Sequence, residues 1–264
     1  MNKYKNVKNI KIGVGVEIHD LAQIEDLDTL YIGDHTYIGP GVRISGGGVF
    51  KIGDYSKIHN NVYVNARGYI ELGHCTWIGQ GAHIDGTGNL VAGHFMAAGI
   101  NSALYTHIRH GDILEGCNYE RNGELIVGND VWFAGNCLVN PVRAADKSMA
   151  LLGSVIVHNM KKNRIYMGNP AEDLTKKYRL TPWREVNVLE KEKGMLSLIE
   201  DYCVQNKVDN NSLKVVLEYP SLDVMDDDIT YYNVSDRTYT KRNSELEVGF
   251  NKEIFKYKAK FLPK

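Results

Sequence analysis

Aliphatic residues recur every six positions over much of the chain. Ile32, Ile38 and Ile44 open the series, followed by Ile52, Ile58 and Val64, then Leu72, Ile78 and Ile84, then Val91 and Ala97. Glycine often comes next, as at Gly33, Gly39, Gly53, Gly73 and Gly79. Four residues after the aliphatic position stands a small or β-branched residue: Thr36, Val42, Ser56, Val62, Thr76, Ala82. Triplets begin at Ile32, Ile52 and Leu72, so one unit takes 20 residues, and the surplus falls in Gly46-Gly47-Gly48 and Arg67-Gly68. The rhythm fails between Ala103 and Ile126, then resumes at Val127, Phe133, Val139, Ala145, Leu151 and Val157. An α-helix repeats every 3.6 residues and a half-buried strand every second one, so neither gives a period of six. The spacing predicts a triangular solenoid with three short strands and three corners per coil. Its aliphatic residues point inward, the i+4 residues fill the axis, and Gly or Asn turns the corners.

The expected organisation is an N-terminal cap over residues 1–30, where only Ile12 and Ile18 keep time, then a solenoid over 31–174 with a projecting loop at 104–126. Residues 175–264 follow another pattern. Val186, Leu189, Leu196, Ile199 and Cys203 fit one face of a helix between Trp183 and Asn206. Beyond Asn210 the apolar positions alternate: Leu213, Val215, Leu217 and Tyr219, then Leu246, Val248 and Phe250, then Phe255, Tyr257, Ala259 and Phe261. This predicts a small antiparallel sheet whose last strand carries Lys256, Lys258 and Lys260 on its other face.

Composition narrows the picture. The 264 residues carry 31 Lys+Arg against 32 Asp+Glu, a net charge of −1, which offers no field for wrapping nucleic acid. No apolar run approaches the roughly 20 residues of a membrane span, and no apolar stretch follows Met1-Asn2-Lys3-Tyr4-Lys5-Asn6, so no secretory signal is expected. Cys75, Cys117, Cys137 and Cys203 share no CxxC spacing and read as reduced thiols. A cytoplasmic location is expected.

Two further segments are specific: Val127-Gly128-Asn129-Asp130-Val131-Trp132-Phe133-Ala134-Gly135 and Gly168-Asn169-Pro170-Ala171. With the hexads they make the stretch from Ile10 to Ala171 resemble the hexapeptide-repeat acyltransferases, in the branch that O- or N-acetylates sugars and xenobiotics. The resemblance implies a left-handed parallel β-helix, a homotrimer with sites at subunit boundaries, acetyl-CoA as co-substrate, no metal, and a sugar or nucleotide-linked amino sugar as acceptor.

It also implies a catalytic histidine on the excursion before the Asn-Asp-Val-Trp coil, where His107 stands; His110 lies three residues further out. One imidazole suffices for this chemistry. A hydroxyl or ammonium becomes a nucleophile once its proton is removed, and histidine titrates near neutrality. A backbone N–H at a tight turn then stabilises the tetrahedral oxyanion, and Gly135 occupies the matching position. Asp85 and Asn65 end successive coils with Ser45 and should stack along one edge at the foot of the loop. There they could hold the acceptor, orient the imidazole, or only satisfy turn groups. Coenzyme A calls for cations and an apolar groove. Lys161, Lys162 and Arg164, just after Ser154, are the candidate phosphate contacts or else a solvated basic turn; Trp132 would line the pantetheine groove or pack on a neighbouring coil, and Asn169 and Ser154 are further candidate contacts. His74, His83 and His94 lie inside hexads and read as corner or solvent-facing side chains. Two other functions share such a solenoid: a γ-type carbonic anhydrase-like zinc lyase, for which His107 and His110 would supply two of three ligands, and a non-catalytic scaffold.

Overall fold

The computed structural model describes residues 4–179, 181–256 and 258–264. It consists of two compact units, Met1–Trp183 and Arg184–Lys264.

The first unit is a parallel β-helix of triangular section. Side 1 stacks Val49–Ile52, Tyr69–Leu72, Leu90–Ala92 and Leu125–Val127. Side 2 stacks Tyr37–Ile38, Lys57–Ile58, Trp77–Ile78, Ala97–Ala98, Trp132–Phe133 and Met149–Ala150. Side 3 stacks Arg43–Ser45, Tyr63–Asn65, His83–Asp85, Ala103–Leu104, Leu138–Val139 and Val155–Ile156. Corner A follows side 1, corner B follows side 2 and corner C follows side 3. The register puts like on like: Ile38, Ile58, Ile78, Ala98 and Phe133 form one buried column, and Ile44, Val64, Ile84, Leu104 and Val139 another. The i+4 residues Thr36, Ser56 and Thr76 are buried on the axis, where Thr36 and Thr76 donate their hydroxyls to the carbonyls of Gly53 (2.9 Å) and Gly73 (2.8 Å). A buried hydroxyl costs little once its proton has such an acceptor.

Three expectations need correction. Val91 and Ala97 are not inward: the 20-residue coil carries Leu72 to Ala92 and Ile78 to Ala98, which leaves Val91 on the outer face. After Val139 the inward residues are Ala144, Ala150 and Ile156 rather than Ala145, Leu151 and Val157, because corner C closes through Pro141 with fewer residues and the coil shortens to 17. Residues 4–30 do not stand apart as a cap; Tyr4–Ile12 pairs in parallel with Gln23–Ile32, and Glu17–Ile18 with Tyr37–Ile38, as a first coil. That edge strand carries Lys5, Lys8 and Lys11, charges that discourage further strand pairing.

Corner A is held by a ladder of side-chain acceptors. The N–H of Asp34 reaches Asp54 Oδ1 (2.9 Å), that of Asp54 His74 Nδ1 (3.0 Å), and that of His74 His94 Nδ1 (3.1 Å). The N–H groups of His94 and Asn129 continue to Asn129 Oδ1 (2.7 Å) and Asp146 Oδ1 (2.8 Å). The residues that follow in the left-handed region are His35, Tyr55, Cys75 and Phe95, with φ of 55°, 53°, 54° and 64°, so in these coils Gly and Asn turn corner B (Gly41, Asn61, Gly81, Asn101) but not this one; at corner A they appear only in the first and last coils, as Gly15 and Asn163. The glycines at corner A serve close stacking instead: a Cβ on Gly53 would lie 2.6 Å from His74 N.

The second unit holds the helix Val188–Asn206, N-capped by the Asn187 side chain, a second helix Glu245–Ile254, and a four-stranded sheet of Leu213–Val216, Thr230–Asn233, Thr238–Tyr239 and Leu262–Pro263. The sheet is mixed, not antiparallel: its outer pairs are parallel and only Thr230–Asn233 with Thr238–Tyr239 is antiparallel. Residues 246–250 are helical because Ser244 accepts the Glu247 N–H and the buried Glu247, Phe250, Asn251 and Ile254 follow helical spacing. Among the described residues the expected lysine-bearing strand is absent as well: Lys256 and Lys258 lie past the helix end and bond Glu253, while Tyr257 lies outside the described residues.

The bonds in which Nδ1 of His74 and of His94 accept an N–H form only while the ring is neutral, with its proton on Nε2. Burial, and then the adjacent His74, hold His94 below the usual histidine value against the opposing pull of Asp130. The folded state therefore binds fewer protons than the unfolded one just below pH 6.5, so this stability is complete above that pH and is lost as pH falls through the folded value. In thermal melts between pH 7.5 and 5.5, His94→Asn, which supplies the acceptor found at Asn129, should lose less than the parent. A difference of about 2–4 °C is expected, the scale of one hydrogen bond. Equal losses would show that the ladder does not report protonation.

Candidate active site

The break in the repeat is a β-hairpin standing on corner C. Side 3 ends at Leu104, Thr106 turns outward, and His107–Arg109 pairs antiparallel with Glu120–Asn122, placing His107 opposite Asn122. The chain rejoins the solenoid at Gly123, whose N–H returns to Thr106 O at 3.0 Å. His107 is half-buried at the root, and its imidazole has no hydrogen-bond partner among the described residues. His110 lies past the strand end on the exposed tip, with Ile113, Leu114 and Tyr119.

The root rests on Asp85. Ser45, Asn65 and Asp85 are in register on side 3, as a 20-residue coil requires. Asp85 Oδ1 accepts from Asn65 Nδ2 (3.0 Å), Thr87 Oγ1 (2.7 Å) and Thr87 N (3.3 Å). Oδ2 accepts from Thr106 N (2.9 Å) and Thr106 Oγ1 (2.7 Å). Burial by itself would raise this carboxyl's pKa, but the bonds from Thr87 and Thr106 outweigh it and hold the group ionised below its usual value. Asn65 is committed to the same network, adding Thr87 Oγ1 at 3.2 Å. With its partners counted, the Asp85 carboxylate faces the protein and is 3% exposed.

The other candidates lie elsewhere on the prism. Gly135 sits at corner B of the following coil with φ 152°, flanked by Ile100 and Leu152, and its N–H has no acceptor among the described residues. Asn60, Gln80 and Ile100 also leave this corner N–H unused, so what marks Gly135 is its coil and its positive φ. Trp132 stands outward on side 2 between Ala97 and Met149 and is 43% exposed. Lys161, Lys162 and Arg164 surround corner A of the last coil, where Lys161 and Arg164 also bear on Asp173. Asn169 is exposed in the turn joining Ile165–Gly168 to Ala171–Asp173. Ser154 reaches no surface: it is fully buried, and its hydroxyl donates to Leu151 O at 2.6 Å, so it packs the axis.

One chain therefore brings Asn65 and Asp85 to the foot of His107 but leaves Gly135 on another corner. Side 3 separates them, and five residues of strand at about 3.3 Å each make roughly 17 Å. A cavity of about 290 Å³ does open at corner C, lined by Asn122, Gly123, Glu124, Pro141, Val142, Arg143 and Asn159. Thr87, Gly88 and Thr106 escaped sequence reasoning. The usable signal was spacing: Thr106 is a polar residue one coil and one residue beyond Asp85, at the point where the repeat stops.

No protein-family model matches the chain. Over 74 residues it is 30% identical to a probable macrolide acetyltransferase from Lysinibacillus sphaericus, covering 24% of this chain and 41% of that one. The chain thus spans about two fifths of the length of the curated relative it matches. Among solved structures, the polySia-specific acetyltransferase NeuO superposes with a TM-score of 0.51 at 17% identity, over 78% of this chain and 98% of NeuO. AntD, an N-acyltransferase from Bacillus cereus solved with dTDP-4-amino-4,6-dideoxyglucose and coenzyme A, gives a TM-score of 0.43 at 16% identity over 72% and 92% of the two chains. Together with the stacked hexads, the NeuO superposition identifies the fold as the left-handed parallel β-helix of hexapeptide-repeat proteins.

Proposed function

We propose that this chain is an acetyl-CoA-dependent acetyltransferase that acts on a hydroxyl or amino group of a sugar or nucleotide-linked amino sugar. The observation that carries the reading is His107: a half-buried imidazole, without a hydrogen-bond partner among the described residues, at the root of the excursion that interrupts the repeat. The local likeness to a macrolide acetyltransferase supports acetyl transfer as the chemistry.

In this reading His107 accepts the acceptor's proton as its oxygen or nitrogen attacks the thioester carbonyl. The carbonyl oxygen becomes an oxyanion that takes a hydrogen bond from the Gly135 N–H. Collapse breaks the carbon–sulfur bond, and the departing thiolate of coenzyme A takes up the proton held by the imidazole. The phosphates of coenzyme A are assigned to Lys161, Lys162 and Arg164, its apolar arm to the exposed face with Trp132, Ile100 and Leu152. Asn169 borders that face. The cleft at corner C beside Asn122 is the acceptor's place. Because His107 and Gly135 occupy different corners, the reading requires a homotrimer in which corner C of one copy meets corner B of the next.

Thiol release from acetyl-CoA should be screened against dTDP- and UDP-linked amino sugars, surface-glycan sugars and macrolides. With whichever acceptor turns over, His107→Ala should lower kcat by about two to four orders of magnitude and leave coenzyme A affinity nearly unchanged. His110→Ala should be mild. Full activity in His107→Ala would remove the proposed base, and absence of turnover with every acyl acceptor would remove the proposed reaction.

A further inference from the structure

We infer that Thr106 and Gly88 are positioning residues: with Asp85 they form a buried seat on the solenoid that fixes the angle at which the His107 hairpin leaves corner C. The inference rests on His107 being the base, but its physical content is separate from that reading.

Hairpins at solenoid corners are free to swing unless their first residues are tied to the scaffold. Here Thr106 is tied through every polar atom it has. Its N–H and hydroxyl both donate to Asp85 Oδ2, its hydroxyl oxygen accepts the Gly88 N–H (2.9 Å), and its carbonyl accepts the Gly123 N–H (3.0 Å). Thr106 is fully buried, so none of these groups can turn to water instead. The last bond joins the outgoing strand to the returning one, so the seat holds both legs of the hairpin.

Gly88 completes the seat by having no side chain. A Cβ there would lie 2.4 Å from Asn122 Oδ1, 2.6 Å from Gly123 O and 2.7 Å from Thr106 O, all atoms of the root. The corner 86–88 thus contacts the hairpin at both legs, within one residue of His107 on one leg and at its cross-strand partner Asn122 on the other. Paired residues on adjacent antiparallel strands share a face. A shift of Asn122 therefore carries the imidazole with it, and a base displaced by about 1 Å loses much of its effect.

Four variants test this. Thr106→Val keeps the branched shape and the N–H but removes the hydroxyl, Thr106→Ser restores it, Gly88→Ala pushes on Asn122 from the solenoid side, and His107→Ala is the control. The first readout needs no acceptor: amide hydrogen exchange of residues 107–109 and 120–123, and the rate at which diethyl pyrocarbonate modifies His107, followed by peptide mass. Thr106→Val and Gly88→Ala should raise both at least tenfold, with exchange in the coils unchanged and Thr106→Ser close to the parent. The second is turnover with acetyl-CoA: kcat should fall about 10- to 100-fold, with KM for acetyl-CoA within twofold. Parental exchange and modification rates in both Thr106→Val and Gly88→Ala would overturn the seat. If Thr106→Val fails to fold, Gly88→Ala alone decides by the same readouts. Loosened exchange in variants whose turnover is unaffected, alongside an active His107→Ala, would keep the seat as a structural feature and reject His107 as the base.

Discussion

Everything in the solenoid depends on register between coils. Neighbouring strands are about 4.8 Å apart, and each inward side chain touches the one above and the one below. A one-residue slip would turn a whole column outward. The columns Ile38–Ile58–Ile78 and Ile44–Val64–Ile84 fix the advance at 20 residues, and this in turn aligns the corner residues. The ladder at corner A and the alignment of Ser45, Asn65 and Asp85 near corner C follow from the same constraint. Where the advance changes, after Val139, the alignment of corner residues changes with it.

Register also sets what one chain can bring together. Residues a whole number of coils apart meet, as Asp85 and Thr106 nearly do, with one residue added at the turn into the hairpin. Residues on different corners do not meet, however close in sequence. Gly135 and Pro141 are six residues apart, yet one is at corner B and the other at corner C, with Leu138–Val139 of side 3 between them. This is why the proposed chemistry calls for a second copy: the base and the oxyanion donor lie at opposite ends of a side.

Much of this was legible from the sequence because the period is written in residues whose types the geometry dictates. Ile, Val and Leu on the inward columns and Thr or Ser on the axis gave the coil length and the stacking. The drift to Val91, and later to Ala145, arose because counting by sixes cannot see corners that gain or lose residues, such as the one shortened at Pro141. In the second unit Leu246, Val248 and Phe250 alternate and suggested a strand, but the Ser244 cap and the buried face through Glu247, Phe250 and Ile254 favour a helix. At the site, His107 was marked by where the repeat stops. Asp85 was marked by type, but its commitment to Thr106 was not, since a carboxylate that binds a ligand and one that binds its own backbone look the same in sequence. Ser154 shows the same limit: one hydroxyl among several on the axis, indistinguishable from a surface serine until burial is known.

The central claim, that His107 of one copy works with Gly135 of the next, is open to a direct measurement. His107→Ala and Gly135→Ala chains are each expected to be nearly inactive; at Gly135 the backbone φ of 152° disfavours any L side chain, so alanine re-aims the N–H, while its methyl meets mainly the flexible end of Leu152, at 3.1 Å. The two inactive proteins would be mixed, allowed to exchange subunits, and assayed for thiol release from acetyl-CoA with an acceptor that the parent acetylates. In the proposed homotrimer, mixed assemblies would contain boundaries that carry both native residues, so activity should return to a sizeable fraction of the parent's. If exchange is demonstrated by mass and no activity returns, the two residues serve the same chain or do not act together, and the account is contradicted.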